Sequence, residues 1–555
     1  MNKKVCSFPI LFALLALLIG TCAVVFPASA QAAPTSTGSI TVSGTVASSY
    51  DAYQIFSANV VDGDSDAKIA TDLAWANDAA RDAALPVLHS AGMPNSQTTA
   101  QEAAEWLNTD SHLTSALSAQ LARSLQSSGA EPVALNAGTA AELPCGYWLI
   151  VAKDDAIAQG EAGTAPIMAL VGGSAVTVKP KAATPKVAKH VLEDSTAAWG
   201  KAADATVADD LYWRLSATVP AGLTAYDTYA VQFVDTMSAG LDPSKVAASM
   251  RVYVAAGADG GFDAVPTGKD GHADTEPAKG WTDITAQCVT KMAADGTFTV
   301  RTGDLIAALG GADAFTAGAR VVAVYNAPLS SACSHGIAKG NPNEVYLRYP
   351  RSPFADQSGD AGFTRTPSDD ACAYTWDLAL TKRGSDGDKP LAGAVLSIAD
   401  DRGRTLAADG TWDAEGKATV TTGEDGRVTV SGVDSGKLKV RELKAPKGYT
   451  AFEGARSVTV KAEGLDVDQV AAAKPKLTIT AESPLRADSA DGSTGSLEAS
   501  LINTPTGTPP SIFTGGFMPS TGDMAMYAAA AAAVAGAALI VVALLVKRGG
   551  GSHKE

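Results

Sequence analysis

The sequence is poor in cysteine, histidine and positive charge, and each shortage excludes a class of protein. Six cysteines in 555 residues are too few for a disulfide scaffold. The six histidines are scattered, and no pair has metal-ligand spacing. Lys and Arg number 43 against 59 Asp and Glu, which gives a net charge of −16. Because nucleic-acid binding depends on clustered positive charge, we expect no nucleic-acid partner.

The common catalytic motifs are also absent. The chain has no Gly-x4-Gly-Lys-Ser/Thr phosphate loop, no Cys-x2-Cys, no Gly-x-Ser-x-Gly turn and no His-Glu-x2-His metal motif. A function has to be argued from a site, and no site for repeated turnover is visible. We therefore predict that the protein is not an enzyme and uses no metal or cofactor. A hydrolase with an unrecognised site is the alternative.

Apolar residues make up 46% of the chain and charged residues only 18%, and apolar runs at the two ends contribute to this imbalance. Residues 1–30 run from Lys3-Lys4 through an apolar stretch to small residues, which is typical of a secretory signal peptide. Residues 526–546 carry no charge and are long enough to cross a bilayer, and Lys547-Arg548 follow at once. This order predicts a transmembrane segment with a cytoplasmic tail at 547–555. The chain between the two ends is then extracytoplasmic.

Few cysteines remain after signal-peptide removal. Four are left, and they allow three pairings that the sequence does not rank: Cys145, Cys288, Cys333 and Cys372. Cys288 and Cys333 are the candidate disulfide, because both fall in the same predicted domain.

The exported part divides into three units by its pattern of apolar and turn residues. Residues 31–181 mix strands with helices, including a capping box at Thr99–Glu102 and a leucine stripe at Leu113, Leu117, Leu121 and Leu125. Residues 182–352 and 353–505 show many short strands between Gly/Asp turns, which predicts β-sandwiches. Residues 506–517, rich in Thr, Pro and Gly, form a stalk.

Two motifs at the junctions resemble the substrate sites of sortases. Met518-Pro519-Ser520-Thr521-Gly522 resembles the LPXTG sorting signal of Gram-positive surface proteins, with Met in place of Leu. The resemblance implies that a sortase cysteine attacks the Thr521 carbonyl and transfers the acyl group to an amine. Val176-Thr177-Val178-Lys179-Pro180-Lys181 resembles the pilin motif Val-x-Val-Tyr-Pro-Lys, with Lys179 in place of Tyr. It implies that Lys181 is the acceptor, and Lys186 is the alternative.

The third unit resembles a Cna protein B-type domain. Leu438–Tyr449 is similar to the pilin E-box Tyr-x-Leu-x-Glu-x2-Ala-Pro-x-Gly-Tyr. Leu380-Thr381-Lys382 and Leu501-Ile502-Asn503 resemble the first and last strands of that family. In such domains the Lys and Asn condense into an isopeptide bond with the Glu as proton shuttle. The resemblance implies these roles for Lys382, Asn503 and Glu442. The competing interpretation is a Lys–Glu ion pair on a sheet surface.

The second unit resembles a fimbrial isopeptide-forming domain. Pro185–Val191 matches its opening strand, Phe233–Leu241 its Asp-Thr-x-x-x-Gly-Leu turn, and Asn343–Tyr349 its closing strand. The resemblance implies Lys189 and Asn343 as crosslinked residues and Asp235 as proton shuttle, with Asn341 as an alternative to Asn343. No comparable trio is found in the first unit.

The order of these features resembles that of Gram-positive, sortase-assembled major pilins. The implied fold is mainly β, with tandem immunoglobulin-like, Cna-type β-sandwiches after an α+β domain. The implied protein is a wall-anchored pilus subunit supporting adhesion, whose precursor is held in the membrane. Implied partners are pilus-polymerising and wall-anchoring sortases, identical subunits, accessory pilins and peptidoglycan. The alternative is a monomeric wall-anchored adhesin, or a tip or minor pilin, binding a host matrix or glycan ligand.

Overall fold

A computed structural model describes residues 36–507 apart from 64–66, 110, 164, 181–183, 222 and 258–279. The described chain is mainly β and forms three units in series, which confirms the predicted fold class. The predicted signal peptide, sorting motif and transmembrane segment lie outside the described residues. Within the described ranges, no helix is both long and apolar enough to cross a membrane.

The first unit combines two sheets with three helices. Its elements are β1 (Thr37–Val42), β2 (Ser49–Asp62), β3 (Lys68–Trp75), α1 (Asp78–Ser90), α2 (Ala100–Asn108), α3 (Ser115–Ser127), β4 (Val133–Asn136), β5 (Ala140–Pro144), β6 (Gly146–Ala152), β7 (Ile167–Val171) and β8 (Val176–Val178). One sheet has the order β5-β1-β8, and the other has the order β3-β2-β6-β7 with β4 paired to β2. The larger sheet lies between the helices and the smaller sheet, and apolar side chains fill both interfaces.

Local capping explains where two of these helices begin. At the start of α2 the Thr99 hydroxyl accepts a hydrogen bond from Glu102 N at 3.2 Å, and the Glu102 carboxylate accepts one from Thr99 N at 3.0 Å. The predicted capping box is therefore confirmed. Helix α3 begins after its N-cap Thr114 and buries the last three predicted leucines. Leu113 precedes the cap and is 40% exposed, so it does not belong to that stripe.

The second unit is a two-sheet sandwich. Its elements are β9 (Val187–Glu193), β10 (Ala198–Gly200), β11 (Ala202–Asp204), β12 (Tyr212–Thr218), β13 (Gln232–Met237), α4 (Val246–Ser249), β14 (Arg251–Ala255), β15 (Trp281–Asp283), β16 (Val289–Met292), β17 (Thr297–Arg301), α5 (Leu305–Ala308), β18 (Arg320–Asn326), β19 (Asn341–Pro350), β20 (Phe363–Arg365) and β21 (Asp369–Tyr374). One sheet has the order β10-β9-β12-β18-β14-β15, and the facing sheet has the order β11-β21-β19-β13-β17-β16. A single apolar core lies between them.

The sheet of the second unit continues past the domain boundary expected at residue 352. Both β20 and β21 pair antiparallel with β19, and β21 also pairs with β11. The next strand, beginning at Trp376, joins a different sheet. The hydrogen-bond ladder therefore assigns residues 363–374 to the second unit.

The third unit is a smaller sandwich. Its strands are β22 (Trp376–Gly384), β23 (Val395–Ala399), β24 (Thr405–Leu406), β25 (Trp412–Asp413), β26 (Val420–Thr421), β27 (Arg427–Val433), β28 (Gly436–Lys444), β29 (Tyr449–Thr450), β30 (Ala455–Glu463), β31 (Lys476–Ala481), β32 (Leu485–Asp491) and β33 (Ser496–Pro505). One sheet has the order β27-β22-β33-β29 with β32 on β33, and the other has the order β25-β24-β23-β28-β30-β31. The entering strand β22 and the leaving strand β33 are parallel neighbours.

A buried carboxylate joins the second and third units. Asp204, at the end of β11, is 1% exposed. Its Oδ2 accepts hydrogen bonds from Trp376 Nε1 at 2.6 Å and from Ser435 N at 2.9 Å. Glu193, from β9, lies beside it and accepts a hydrogen bond from Asp204 N at 3.0 Å. The two units are thus connected through hydrogen bonds to the buried carboxyl group of Asp204.

Candidate crosslinking sites

The second unit places a lysine, an aspartate and an asparagine inside its sandwich. Lys189 lies on β9 in one sheet, while Asp235 on β13 and Asn343 on β19 lie in the facing sheet. Met237 is the ladder partner of Asn343, and strand alternation puts Asp235 on the same face as Met237. The three residues are all 0% exposed. The structure therefore brings the predicted trio together between the sheets.

A buried tyrosine connects the three side chains. Tyr325, on β18, accepts hydrogen bonds through its hydroxyl from Lys189 Nζ at 2.9 Å and from Asn343 Nδ2 at 2.8 Å. The same hydroxyl donates to Asp235 Oδ2 at 3.0 Å, and Lys189 Nζ also donates to Asp235 Oδ2. The other oxygens, Asp235 Oδ1 and Asn343 Oδ1, have no hydrogen-bond partner among the described residues.

Burial shifts the pKa values of Lys189 and Asp235 towards their neutral forms. Desolvation lowers the pKa of the Lys189 amine to about 8, and the nearby Asp235 opposes part of that shift. Desolvation likewise raises the pKa of the Asp235 carboxyl against the opposite effect of Lys189. Both shifts favour the neutral pair, in which the proton lies on the carboxyl rather than on the amine. A neutral amine is a nucleophile, and a neutral carboxyl can donate a hydrogen bond.

The two candidate asparagines of β19 have different surroundings. Asn341 is also buried, but its Oδ1 accepts a hydrogen bond from Ser334 N at 2.8 Å. Its Nδ2 donates to Ser334 O at 2.9 Å and to Ala373 O at 3.2 Å. Of the two, it is Asn343 that contacts the Lys189 group, through Tyr325.

The third unit arranges its predicted trio differently. Lys382 and Asn503 lie on the adjacent parallel strands β22 and β33, and Glu442 reaches them from β28 in the facing sheet. Asn503 Nδ2 donates to both carboxylate oxygens of Glu442, at 2.8 and 3.0 Å, and Lys382 Nζ lies 3.6 Å from Glu442 Oε1. Lys382 Nζ also donates to Leu501 O at 3.2 Å. The structure therefore brings this trio together as well.

Burial excludes the surface ion pair considered for these residues. Lys382, Asn503 and Glu442 are 0%, 2% and 6% exposed. Desolvation lowers the pKa of the Lys382 amine to about 8, with Glu442 acting in the opposite direction. Asn503 Oδ1 has no hydrogen-bond partner among the described residues. The group is thus a buried amine beside an amide, in contact with one carboxyl group.

The described part of the first unit contains no buried lysine. Its pilin-like motif begins as a strand, because Val176–Val178 forms β8 and pairs in parallel with β1. Lys181 and the whole of Met518–Gly522 lie outside the described residues. The alternative acceptor Lys186 is exposed, and its backbone N–H donates to Thr218 Oγ1 at 2.8 Å.

The candidate disulfide is not formed, and all four cysteines in the described chain are free. Cys288 precedes β16, which pairs with β17 beside the Gln232 end of β13. Cys333 packs against Gly240, beyond the other end of that strand. The strand spans roughly 20 Å at about 3.3 Å per residue. A disulfide needs α-carbons within about 7 Å, so the fold separates the two thiols.

Sequence reasoning missed Tyr325. The segment Val321–Tyr325 reads as a strand, but residues 321–326 are all buried in the structure. A strand buried on both faces lacks the alternation that would show which side chains face the lysine. Only the pairing of strands in three dimensions reveals this contact.

Residues 377–474 match the family of SpaA prealbumin-like fold domains. This segment belongs to the unit expected to be Cna protein B-type. Over 120 residues the chain is 32% identical to the trypsin-resistant surface T6 protein of Streptococcus pyogenes serotype M6. That alignment spans 20% of each protein, so the chain matches about a fifth of this relative's length.

Several solved structures resemble the whole described chain more loosely. The T6 backbone pilin of Streptococcus pyogenes shares 17% identity at a TM-score of 0.45, covering 85% of this chain and 98% of the pilin. The full-length major pilin SpaD of Corynebacterium diphtheriae shares 14% identity at a TM-score of 0.41, covering 86% of this chain and 100% of SpaD. The predicted resemblance is confirmed by the SpaA domain-family match and by the identity to the T6 surface protein.

Proposed function

We propose that the chain is the structural subunit of a covalently polymerised surface pilus, stabilised by two internal Lys–Asn isopeptide bonds. The observation that carries the proposal is the pair of buried lysine, acid and asparagine groups in successive β-domains. Similarity to a surface protein and to pilins supports the same conclusion. Its covalent chemistry is single-turnover, so the subunit is not an enzyme.

Each internal bond forms by the same balanced reaction. The neutral lysine Nζ attacks the asparagine Cγ, the C–Nδ2 bond breaks, and ammonia leaves as the new amide forms. Lys189 reacts with Asn343, and Lys382 reacts with Asn503. The acid, Asp235 or Glu442, gives a proton to the amide oxygen and then recovers it. This contact would also give a hydrogen-bond partner to Asn343 Oδ1 and Asn503 Oδ1, which have none among the described residues. Strand pairing holds the reactants in contact, so proximity replaces an external catalyst.

The positions of the bonds suit a subunit under tension. In the third unit the chain enters on β22 and leaves on β33, and a Lys382–Asn503 bond joins these strands directly. A pulling force would then bypass residues 383–502. In the second unit a Lys189–Asn343 bond joins the two sheets, so they cannot separate without breaking a covalent bond.

Assembly requires a bond between subunits as well. We assign the acyl donor to Thr521 of Met518–Gly522 and the acceptor to Lys181, with sortase forming the bond. Joining one end of each subunit to the other end of the next is a heterologous contact that does not close, so it produces a filament. Wall-anchoring sortase would then attach the filament to peptidoglycan at the cell surface.

The filament is tested by Lys181→Arg in the native host, with Lys179→Arg and Lys186→Arg as matched controls from the same linker. Wild type and both controls should show high-mass ladders that survive boiling in detergent, and Lys181→Arg should show monomer. Loss of the ladders in Lys186→Arg alone would identify Lys186, and not Lys181, as the acceptor. A wild type without ladders would refute polymerisation and favour the monomeric adhesin.

The internal bonds are tested separately by the intact mass of residues 36–507. Two bonds lower the mass by two ammonia masses relative to the sequence. An unshifted mass in folded protein would refute both crosslinks without bearing on the filament.

A further inference from the structure

We propose that Tyr325 is a catalytic residue of the crosslink in the second unit, where it passes a proton from the attacking lysine nitrogen to the departing asparagine nitrogen. This inference rests on the proposed Lys189–Asn343 bond. It concerns a residue that none of the recognised motifs includes, and it assigns that residue a defined chemical step.

The position of the phenol carries the argument. Its oxygen lies 2.9 Å from Lys189 Nζ and 2.8 Å from Asn343 Nδ2, the two nitrogens that exchange places on the amide carbon. Attack leaves a surplus proton on Nζ, and departure requires an additional proton on Nδ2. Attack frees the lone pair of Nδ2, and the hydroxyl can turn its O–H from Asp235 Oδ2 to Nδ2, donating the second proton as it accepts the first. The phenol is unchanged at the end, and the released molecule is ammonia.

The surroundings keep the phenol in that position and in its neutral form. Tyr325 is 0% exposed, and its ring makes an edge contact with Phe298 at 4.9 Å between centroids. It is the ladder partner of Trp213 on β12, the strand between β18 and β9. Burial and the nearby Asp235 raise the pKa of the hydroxyl well above its usual range, so the proton stays on the oxygen until the reaction needs it.

The roles of Tyr325 and Asp235 are complementary. Asp235 Oδ2 accepts hydrogen bonds from the tyrosine hydroxyl and from Lys189 Nζ, so it can take a proton from either group. Asp235 then serves the amide oxygen, while Tyr325 serves the two nitrogens. Separating these proton transfers avoids moving a single carboxyl between the oxygen and the nitrogen of one amide during the reaction.

The third unit provides a comparison within the same chain. There, Asn503 Nδ2 donates directly to both oxygens of Glu442 at 2.8 and 3.0 Å. Glu442 thus contacts the departing nitrogen itself, and the hydrogen bonds described for Lys382 and Asn503 include no hydroxyl. Removing the tyrosine hydroxyl should therefore slow one crosslink and leave the other unchanged.

The test follows crosslinking during folding of residues 36–507. The chain is recovered unfolded in guanidinium chloride, and its intact mass is measured to establish that it is unreacted. It is then diluted out of denaturant to start folding. Samples are quenched in acid over time, and their masses count the ammonia molecules lost. Peptide mapping assigns each loss to the second or third unit.

We expect Tyr325→Phe to slow the Lys189–Asn343 bond by roughly 10²-fold or more, the usual size of a general acid–base contribution. The Lys382–Asn503 bond should form at the wild-type rate. The matched control is Tyr349→Phe, because Tyr349 is 0% exposed in the same unit and its hydroxyl has no described partner. This control should crosslink like the wild type.

A second variant separates chemistry from packing, including the case in which Tyr325→Phe fails to fold. Placing 3,5-difluorotyrosine at position 325 keeps the ring and hydroxyl but makes the phenol more acidic, so a proton relay changes the crosslinking rate and its pH profile. A wild-type rate for the fluorinated chain, or for folded Tyr325→Phe, would overturn the role of Tyr325 while leaving the crosslink intact. No ammonia loss from the second unit of the wild type would instead refute the crosslink itself.

Discussion

The substitution Glu442→Gln should remove the crosslink of the third unit while preserving the size of the side chain. Glu442 is 6% exposed and accepts two hydrogen bonds from Asn503 Nδ2. A glutamine at this position cannot carry the proton that polarises the amide. We therefore expect the variant to keep one more ammonia mass than the wild type, with Lys382 and Asn503 unreacted.

The magnitude follows from the length of the closed loop. The bond between Lys382 and Asn503 encloses most of the third unit, and closing a loop of roughly 100 residues or slightly more stabilises a domain by about 5 kcal/mol through the entropy of the unfolded chain. For a domain of this size, that free energy corresponds to a fall of about 15–20 °C in melting temperature. We expect this fall in the transition of the third unit, measured by calorimetry.

The pH dependence provides an independent check on the same variant. The buried Lys382 amine has its pKa lowered from 10.5 to about 8 before reaction, so an unreacted chain binds fewer protons when folded than when unfolded in this range. In Glu442→Gln the carboxylate that raises the pKa of Lys382 is also gone, so the amine pKa falls further and stability should rise with pH from below about 8 up to 10.5. The crosslinked wild type should lack this contribution, because an amide nitrogen does not titrate there.

The matched control is Glu463→Gln on β30, an exposed residue paired with Lys461. It should retain the wild-type mass and melt with the wild type, because an exposed ion pair is screened by solvent and contributes little to stability. Two results would refute the reasoning. One is a Glu442→Gln chain with the wild-type mass, and the other is an uncrosslinked chain that melts within about 3 °C of the wild type.

Three further predictions concern other parts of the chain. Asp235→Asn should retain one ammonia mass in the second unit only, and loss of two ammonia masses by that variant would contradict the shuttle role. Burial, followed by the charge of Asp204, raises the pKa of Glu193 to about 7, so its contribution to stability is complete at acidic pH and declines as pH rises through about 7. In denaturant titrations the wild type should lose stability relative to Glu193→Gln as pH rises from 4.5 to about 7. A difference in unfolding free energy that stays constant over this pH range would contradict the prediction. Thr99→Ala removes the cap shared with Glu102 and should lower the unfolding free energy of the first unit by about 1 kcal/mol, whereas Thr99→Ser should restore most of it.

Local sequence signals determined much of the architecture. The capping box at Thr99 specifies the start of α2, because its side-chain partners lie within one helical turn. Short β segments between turns specified sandwiches, since strand patterns and turn residues act locally. The groups around Lys382 and Glu442 were predicted from their resemblance to a known domain family, and the fold brings them together from distant parts of the chain.

The tertiary structure decided what local patterns could not. Asn341 and Asn343 lie on the same face of β19, so alternation does not distinguish them, whereas contacts with Ser334 and with Tyr325 do. Cys288 and Cys333 lie near opposite ends of β13 and are therefore far apart. Their presence in one predicted domain did not indicate this separation. The physical reason is common to these cases. Residue types and spacing specify elements and reactive groups, but protonation, reach and the order of contacts depend on burial and on neighbours supplied by other strands.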